Sequence, residues 1–269
     1  MTKIAILGCG WLGLPLASQL INNGFYVKGS TTTATKLPLL AEKGIVPFQI
    51  ALSESEIAGP IHDFLNDTEI LIVDIPPKLR SENGESFIGK MQLLISEIEN
   101  HPVKKILFIS STSVYADTFP IEEITETSKR RPDTESGKQL TKVEDLLLSN
   151  QNFQTTILRF GGLIGEKRHP VHFLAGKENV ANPDAPINLI HQEDCITIIQ
   201  SILKKDIWNT TFNAVAPQHP TRKAYYTFQA EKLNLEAPKF NAEGNSIGKL
   251  ILSDKVTQEL DYQFSTNLL

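Results

Sequence analysis

Ile4-Ala5-Ile6-Leu7-Gly8-Cys9-Gly10-Trp11-Leu12-Gly13 joins a short apolar run directly to the start of a helical pattern, with its glycines in the order G-x-G-x-x-G. Ile4 to Leu7 has the length and composition of a buried strand. Beyond the turn Leu12, Leu16, Leu20 and Ile21 recur at helical spacing, and Asn22, Asn23 and Gly24 stop the helix. In a strand, turn and helix of this kind the glycines have separate tasks. Gly8 permits the tight turn, Gly10 lets a pyrophosphate approach the backbone, and Gly13 lets the helix pack closely on the strand, while free amides at the helix start bind the anion. The stretch predicts a dinucleotide-binding turn in which Trp11 and Leu12 complete the lining.

Outward from this turn, apolar runs of strand length alternate with amphipathic helices. Strands are predicted at Tyr26 to Ser30, Val46 to Ile50, Glu69 to Ile75, Lys105 to Ser110 and Thr155 to Arg159, and helices at Lys36 to Glu42, Ile61 to Leu65, Phe87 to Ile98 and Glu135 to Leu148. Parallel neighbours need a crossover helix, so the pattern predicts an α/β fold, a Rossmann-type doubly wound parallel sheet. The alternation becomes shorter and mixed after Gly165. The predicted organisation is a Rossmann domain over residues 1–165 and a small C-terminal substrate-binding lobe over 166–269. In that lobe the expected elements are Ile187 to Ile190, a helix from Glu193 to Lys204, Thr211 to Val215, a helix from Thr221 to Leu233, then a final helix and a short strand.

Hydrophobic residues at 41% and charged residues at 21% fit an ordinary folded domain and argue against a disordered or fibrous chain. With 26 basic against 31 acidic side chains there is no cationic surface for nucleic acid or anionic lipid, so neither is expected as a partner. Lys3 and the run to Ile21 resemble a secretion signal, but three glycines and Pro15 interrupt it. Two cysteines far apart imply no disulfide framework, and a cytoplasmic location is expected.

A site preferring NAD places a carboxylate at the end of the second strand for the adenosine ribose. The first acidic residue here is Glu42, and Ser30, Thr31 and Thr32 stand where the ribose should lie, with Lys36 nearby. Hydroxyls and an ammonium suit a 2′-phosphate, which predicts NADP preferred over NAD. Pro76 and Pro77, directly after the fourth strand, are expected to shape the loop over the cofactor.

The glycine turn, Ser110-Ser111-Thr112-Ser113-Val114-Tyr115, Leu158-Arg159-Phe160-Gly161-Gly162 and Asn188-Leu189-Ile190-His191-Gln192-Glu193-Asp194 form an ordered series. Together they resemble the extended short-chain dehydrogenase/reductase superfamily of the NAD(P)-dependent epimerase/dehydratase type, over nearly the whole chain. The resemblance implies that Ser111 hydrogen-bonds the substrate's reacting oxygen, with Ser113 as fallback, and that Ser110 adjoins the cofactor. It also implies a Tyr and a Lys four residues apart on the next helix. Those positions hold Ser136 and Leu140, and no Tyr-x-x-x-Lys occurs anywhere in the chain. Lys138 and Lys142 are offset by two residues from the lysine position, about 200° around the helix, and are expected in solvent. Tyr115 is the candidate replacement proton donor. Arg159 is expected to fix the Gly161-Gly162 loop, and Asp194 to cap a helix.

In the second lobe Arg168, His169, Asn188, His191 and Arg222 are the candidate substrate-binding residues, a donor-rich set suited to an anionic or hydroxyl-rich ligand such as a nucleotide sugar. No metal is expected, because neither C-x-x-C nor H-E-x-x-H spacing is present. Two functions follow as alternatives. One is an NAD(P)-dependent oxidoreductase or nucleotide-sugar epimerase/dehydratase-like enzyme acting on a small polar substrate. The other is a non-catalytic NADP(H)-binding sensor or regulatory protein. The resemblance also implies a homodimer.

Overall fold

The computed structural model describes residues 1–77, 85–241 and 243–268. Seven strands form one sheet: β1 Lys3–Leu7, β2 Tyr26–Thr31, β3 Val46–Gln49, β4 Ile70–Val73, β5 Lys105–Ser111, β6 Gln154–Phe160 and β7 Thr210–Ala214. Their spatial order is β3-β2-β1-β4-β5-β6-β7, and the sheet is parallel. This is the doubly wound order, with its reversal between β1 and β4, where ligands of such sheets bind beyond the carboxyl ends. The helices are α1 Gly13–Asn22, α2 Leu37–Glu42, α3 Ile61–Leu65, α4 Phe87–Glu99, α5 Glu135–Ser149, α6 Gln192–Lys205, α7 Arg222–Lys232 and α8 Asp254–Leu260.

The core follows from composition. Ile4, Ile6, Leu71, Ile72, Val73, Leu107 and Phe108 are wholly enclosed, as central strands covered on both faces require. Helix α1 buries Gly13, Leu16, Ala17 and Leu20 on one stripe.

Two expectations are corrected here. Thr210–Ala214, expected in the C-terminal lobe, is the seventh strand of the main sheet, with α6 as its crossover helix. The alternation of strand and helix therefore continues past residue 165, and β6 gains the neighbour that a covered, apolar strand needs. The order of the last elements is reversed as well: strand Lys249–Ile251 precedes α8. That strand pairs in parallel with Glu122–Ile124, inside what reads from sequence as a polar loop.

The chain folds as two compact units, residues 1–111, 134–158 and 202–211 in the first, and 112–133, 159–201 and 212–269 in the second. The single expected boundary at residue 165 does not coincide with this interleaved division. No described helix is long and apolar enough to cross a membrane.

Candidate functional site

The strand register sets the last residues of β1 and β4, Leu7 and Val73, opposite each other and Val73 opposite Phe108, from which β5 runs on three residues to Ser111. Gly8 follows β1 at φ +112°, and a Cβ there would lie 2.2 Å from the backbone oxygen of Asp74. A Cβ on Gly13 would lie 2.2 Å from the Gly8 carbonyl oxygen. Around Gly10 no such atom comes within 4 Å. Two glycines are therefore demanded by packing of the turn itself, and the third opens onto free space. Helix α1 is preceded at its N-cap by Leu12, whose side chain makes no cap, and its first turn holds no acidic residue. In contrast α4, α5 and α7 start on capping hydroxyls of Ser86, Thr134 and Thr221. An uncapped ten-residue helix behind an open glycine suits an anionic diphosphate, so these residues fit a dinucleotide.

Residues expected at the ribose divide into two groups. The hydroxyl of Ser30 accepts from the Gly8 amide at 2.9 Å, and the Ser30 carbonyl accepts from Cys9 N–H at 2.7 Å. Ser30 is buried and its hydroxyl oxygen braces the turn. Thr31 is buried too, and its hydroxyl accepts from the Thr33 amide. Thr32 and Lys36 are exposed. The Cys9 thiol points inward, where burial and the nearby Asp74 carboxylate push its pKa to about 12, leaving it inert. Trp11, half-buried, and Leu12, buried, flank Gly10; Pro76 and Pro77 follow β4 and Asp74.

At the end of β5 the Ser110 hydroxyl donates to Glu144 Oε1 at 2.7 Å. Glu144 on α5 is 0% exposed, so this bond locks the helix onto the strand. The Ser110 hydroxyl proton is thereby committed to α5. Ser136, Leu140 and Glu144 recur every fourth residue along one face of α5. Leu140 is 3% exposed, and Lys138 and Lys142 are in solvent as expected. Ser111 closes β5 and is half-buried, as is Ser113 two residues on.

Tyr115 is 1% exposed. Its hydroxyl donates toward the Thr125 carbonyl and Asn213 Oδ1, each at 3.2 Å, and accepts from Arg159 Nη1. The Arg159 guanidinium lies 5.2 Å from the ring centroid. Lys249 Nζ donates to the Tyr115 carbonyl at 2.8 Å and to Asp117 at 3.0 Å. A phenol so enclosed organises the loop after Ser111, with the Arg159 guanidinium bonded to it. Tyr115→Phe is expected to lower stability by about 1–3 kcal/mol, because Arg159 and Asn213 lose a buried partner. Urea unfolding measures this, and wild-type stability combined with lost turnover would return the residue to catalysis.

The second unit uses its candidate residues largely on itself. Asn188 donates to the Lys249 carbonyl at 2.8 Å and accepts from Ile251 N–H at 2.9 Å, which stitches it to that strand and withdraws it from substrate. Asp194, in the first turn of α6, ties that helix to the C-terminal segment: its Oδ1 accepts from the Tyr262 hydroxyl at 2.6 Å and from the amide and hydroxyl of Ser265. Burial opposes ionisation of this carboxyl, but those hydrogen bonds hold its pKa below the usual carboxylate range. His191 Nδ1 accepts from the Glu193 amide at 3.3 Å. Arg168 is exposed and Arg222 half-buried.

His169 Nδ1 accepts from the Val171 amide at 3.2 Å, and its Nε2 donates to the Tyr225 hydroxyl at 2.9 Å over stacked rings. Burial, then the nearby His172 and Lys232, hold its pKa below 6.5. The unfolded chain therefore binds this proton more readily than the folded one. Stability present above pH 6.5 is lost as pH falls from 6.5 through the lower folded value. His169→Gln, which cannot charge, is expected to flatten that part of a melting-temperature series against pH; an unchanged slope would reject the assignment.

Several of these partners had no sequence signal. Glu144, Asp74, Asn213 and Lys249 belong to no recognisable pattern, and each acquires its function from a residue distant in the chain. Only the spacing of Glu144 from Leu140, one helical turn, could have flagged it. Among the described residues no group of three His, Cys, Asp or Glu side chains could hold a metal.

The sheet order and the glycine turn give the chain the Rossmann-type fold shared by solved NAD-dependent epimerase/dehydratase and short-chain dehydrogenase/reductase proteins. No family model matches the chain. It belongs to the family of Protein YeeZ of Escherichia coli strain K12, to which it is 34% identical over 267 residues, 98% of this chain and 96% of that one. Two solved structures share the fold. A short-chain dehydrogenase/reductase superfamily protein from Agrobacterium tumefaciens with bound NAD has a TM-score of 0.78 at 15% identity, covering 99% of this chain and 93% of that one. UDP-glucuronic acid 4-epimerase from Bacillus cereus in complex with NAD has a TM-score of 0.79 at 17% identity, with the same coverages.

Proposed function

We propose that this protein binds NADP(H) in the glycine turn and acts on a small polar substrate, of the nucleotide-sugar kind named for the Bacillus cereus relative, as an epimerase- or oxidoreductase-type enzyme. The observation that carries the proposal is the contrast within the turn, where Gly8 and Gly13 are filled by the protein and Gly10 faces open space. The backbone from Gly8 to Gly13 and the start of α1 would hold the diphosphate, and exposed Thr32 and Lys36 the 2′-phosphate. The bound dinucleotide would supply reversible two-electron redox chemistry. Ser111 would orient the substrate oxygen from the end of β5.

Calorimetric titration with NADP(H) and NAD(H) at one ionic strength tests the cofactor. NADP(H) is expected to bind more tightly, with Lys36→Ala removing about tenfold of that affinity. Tighter binding of NAD(H) would reject the preference. Turnover is tested with nucleotide sugars and carbonyl compounds, following both nicotinamide absorbance and product identity, since an epimerase shows no net absorbance change.

A second reading, a non-catalytic NADP(H) sensor, is favoured by one observation: Ser136 and Leu140 stand at the usual Tyr and Lys positions, and the candidate replacement donor Tyr115 is enclosed. Tight cofactor binding with no product from any substrate, and no effect of Ser111→Ala, would select it.

A further inference from the structure

We propose that His62 and His101 form a two-imidazole site for a late first-row divalent transition ion, which clips α3 to the segment that follows α4. The site goes beyond the function proposed above and depends on no part of it.

His62 lies in α3 and His101 just after α4, 39 residues apart in the chain, so no metal-ligand spacing joins them in the sequence. Packing of α3 against α4 brings His101 Nε2 to 2.9 Å from His62 Nδ1. The ring centres are 4.8 Å apart and the ring planes meet at 61°.

The backbone decides which nitrogen of His101 is available. Its Nδ1 lies 2.6 Å from the Glu97 carbonyl oxygen, which can only accept, so Nδ1 carries the hydrogen. In the neutral ring Nε2 then holds the lone pair, and it is this nitrogen that faces His62. Ligand histidines are oriented in the same way, the second ring nitrogen donating to a carbonyl, which fixes the ring and raises its basicity. In the neutral pair His62 supplies the hydrogen between the rings, from its Nδ1. Its side chain is exposed, so that hydrogen can pass through water to its own Nε2. An ion then takes its place between the two lone pairs with no net loss of a proton.

The separations fit an ion held at nearly a right angle. Two ring nitrogens each about 2.1 Å from one ion stand about 3.0 Å apart at 90° and about 3.4 Å apart at the tetrahedral angle, with ring centres about 4.6 and 5.3 Å apart. The observed 2.9 and 4.8 Å are nearer the first pair of values. Rings pointing straight at each other across that gap would have more distant centres, so their axes are bent off the line between the nitrogens, as convergence on one ion requires. A right angle suits square-planar or octahedral Cu2+ and Ni2+ better than tetrahedral Zn2+. Among the described residues no third His, Cys, Asp or Glu side chain joins the pair, so water completes the coordination.

The test is calorimetry with Ni2+ on the intact protein free of any affinity tag. One equivalent is expected to bind, and His62→Ala and His101→Gln should each weaken it by about tenfold or more, while His172→Ala leaves it unchanged. Wild-type Ni2+ affinity in His62→Ala, or no binding by the wild type, would overturn the inference. Because His62 is exposed, its removal is expected to leave the fold intact, which the melting temperature without metal checks. A second measurement needs no variant. Electron paramagnetic resonance of one equivalent of Cu2+ on the wild-type protein should show coupling to two imidazole nitrogens, and coupling to one or none would overturn the assignment. Ni2+ should also raise the melting temperature of the wild type and not that of His62→Ala, since the ion binds only where the fold brings the two rings together; an equal rise in both would count against the site.

Discussion

Replacing Gly10 with valine is expected to leave the fold intact and abolish nucleotide binding. No atom lies within 4 Å of where its Cβ would stand, so the substitution meets no steric opposition from the protein. What it fills is the space above the turn that a diphosphate needs in order to reach backbone N–H groups. Displacing a dianion from that close approach should weaken NADP(H) by at least about a hundredfold. The measurement pairs calorimetry with thermal unfolding. An unchanged melting temperature with lost binding is the expected pattern, and undiminished affinity would mean that the nucleotide, if bound, lies elsewhere.

Gly13→Ala is expected to do the opposite and act on the fold itself. One methyl group would stand 2.2 Å from the Gly8 carbonyl oxygen and 3.2 Å from Asp74 Oδ2. The nearer neighbour is backbone and cannot swing aside, so α1 would have to lift from β1, disturbing the stripe formed by Leu16, Ala17 and Leu20. Overpacking of this severity costs about 3 kcal/mol or more. Chemical denaturation checks the value, and a variant as stable as wild type would show that the helix does not sit so close to the strand. Two glycines three residues apart thus separate ligand from structure: one variant loses binding without stability, the other loses stability first.

The fold was unusually legible because its signals are local. Strand β1, the glycine turn and α1 are contiguous, and each glycine's task follows from the turn's geometry. The alternation from Tyr26 to Arg159 was equally readable, since every parallel strand is followed by its own crossover helix. Legibility declined where partners are far apart. Glu122–Ile124 reads as polar loop because its ladder partner, Lys249–Ile251, comes more than a hundred residues later. A short edge pair with mixed polarity has neither length nor periodicity to announce it.

Side-chain partners were hidden from the sequence for a related reason. Residue type and position along a strand predict that a hydroxyl or phenol stands near a site, but not whether a neighbour has already claimed it. Ser30 was claimed by the Gly8 amide, Ser110 by Glu144, Asn188 by the strand at 249–251, and Tyr115 by Arg159 and Asn213.

From its order of residues alone the chain specified the Rossmann-type sheet and the turn that opens beside Gly10, because backbone sterics and hydrophobic period act over a few residues at a time. Which polar groups remain available to a ligand was decided only by tertiary structure. A buried donor or acceptor must find a partner, and that partner is chosen by packing across the fold rather than by distance along the chain.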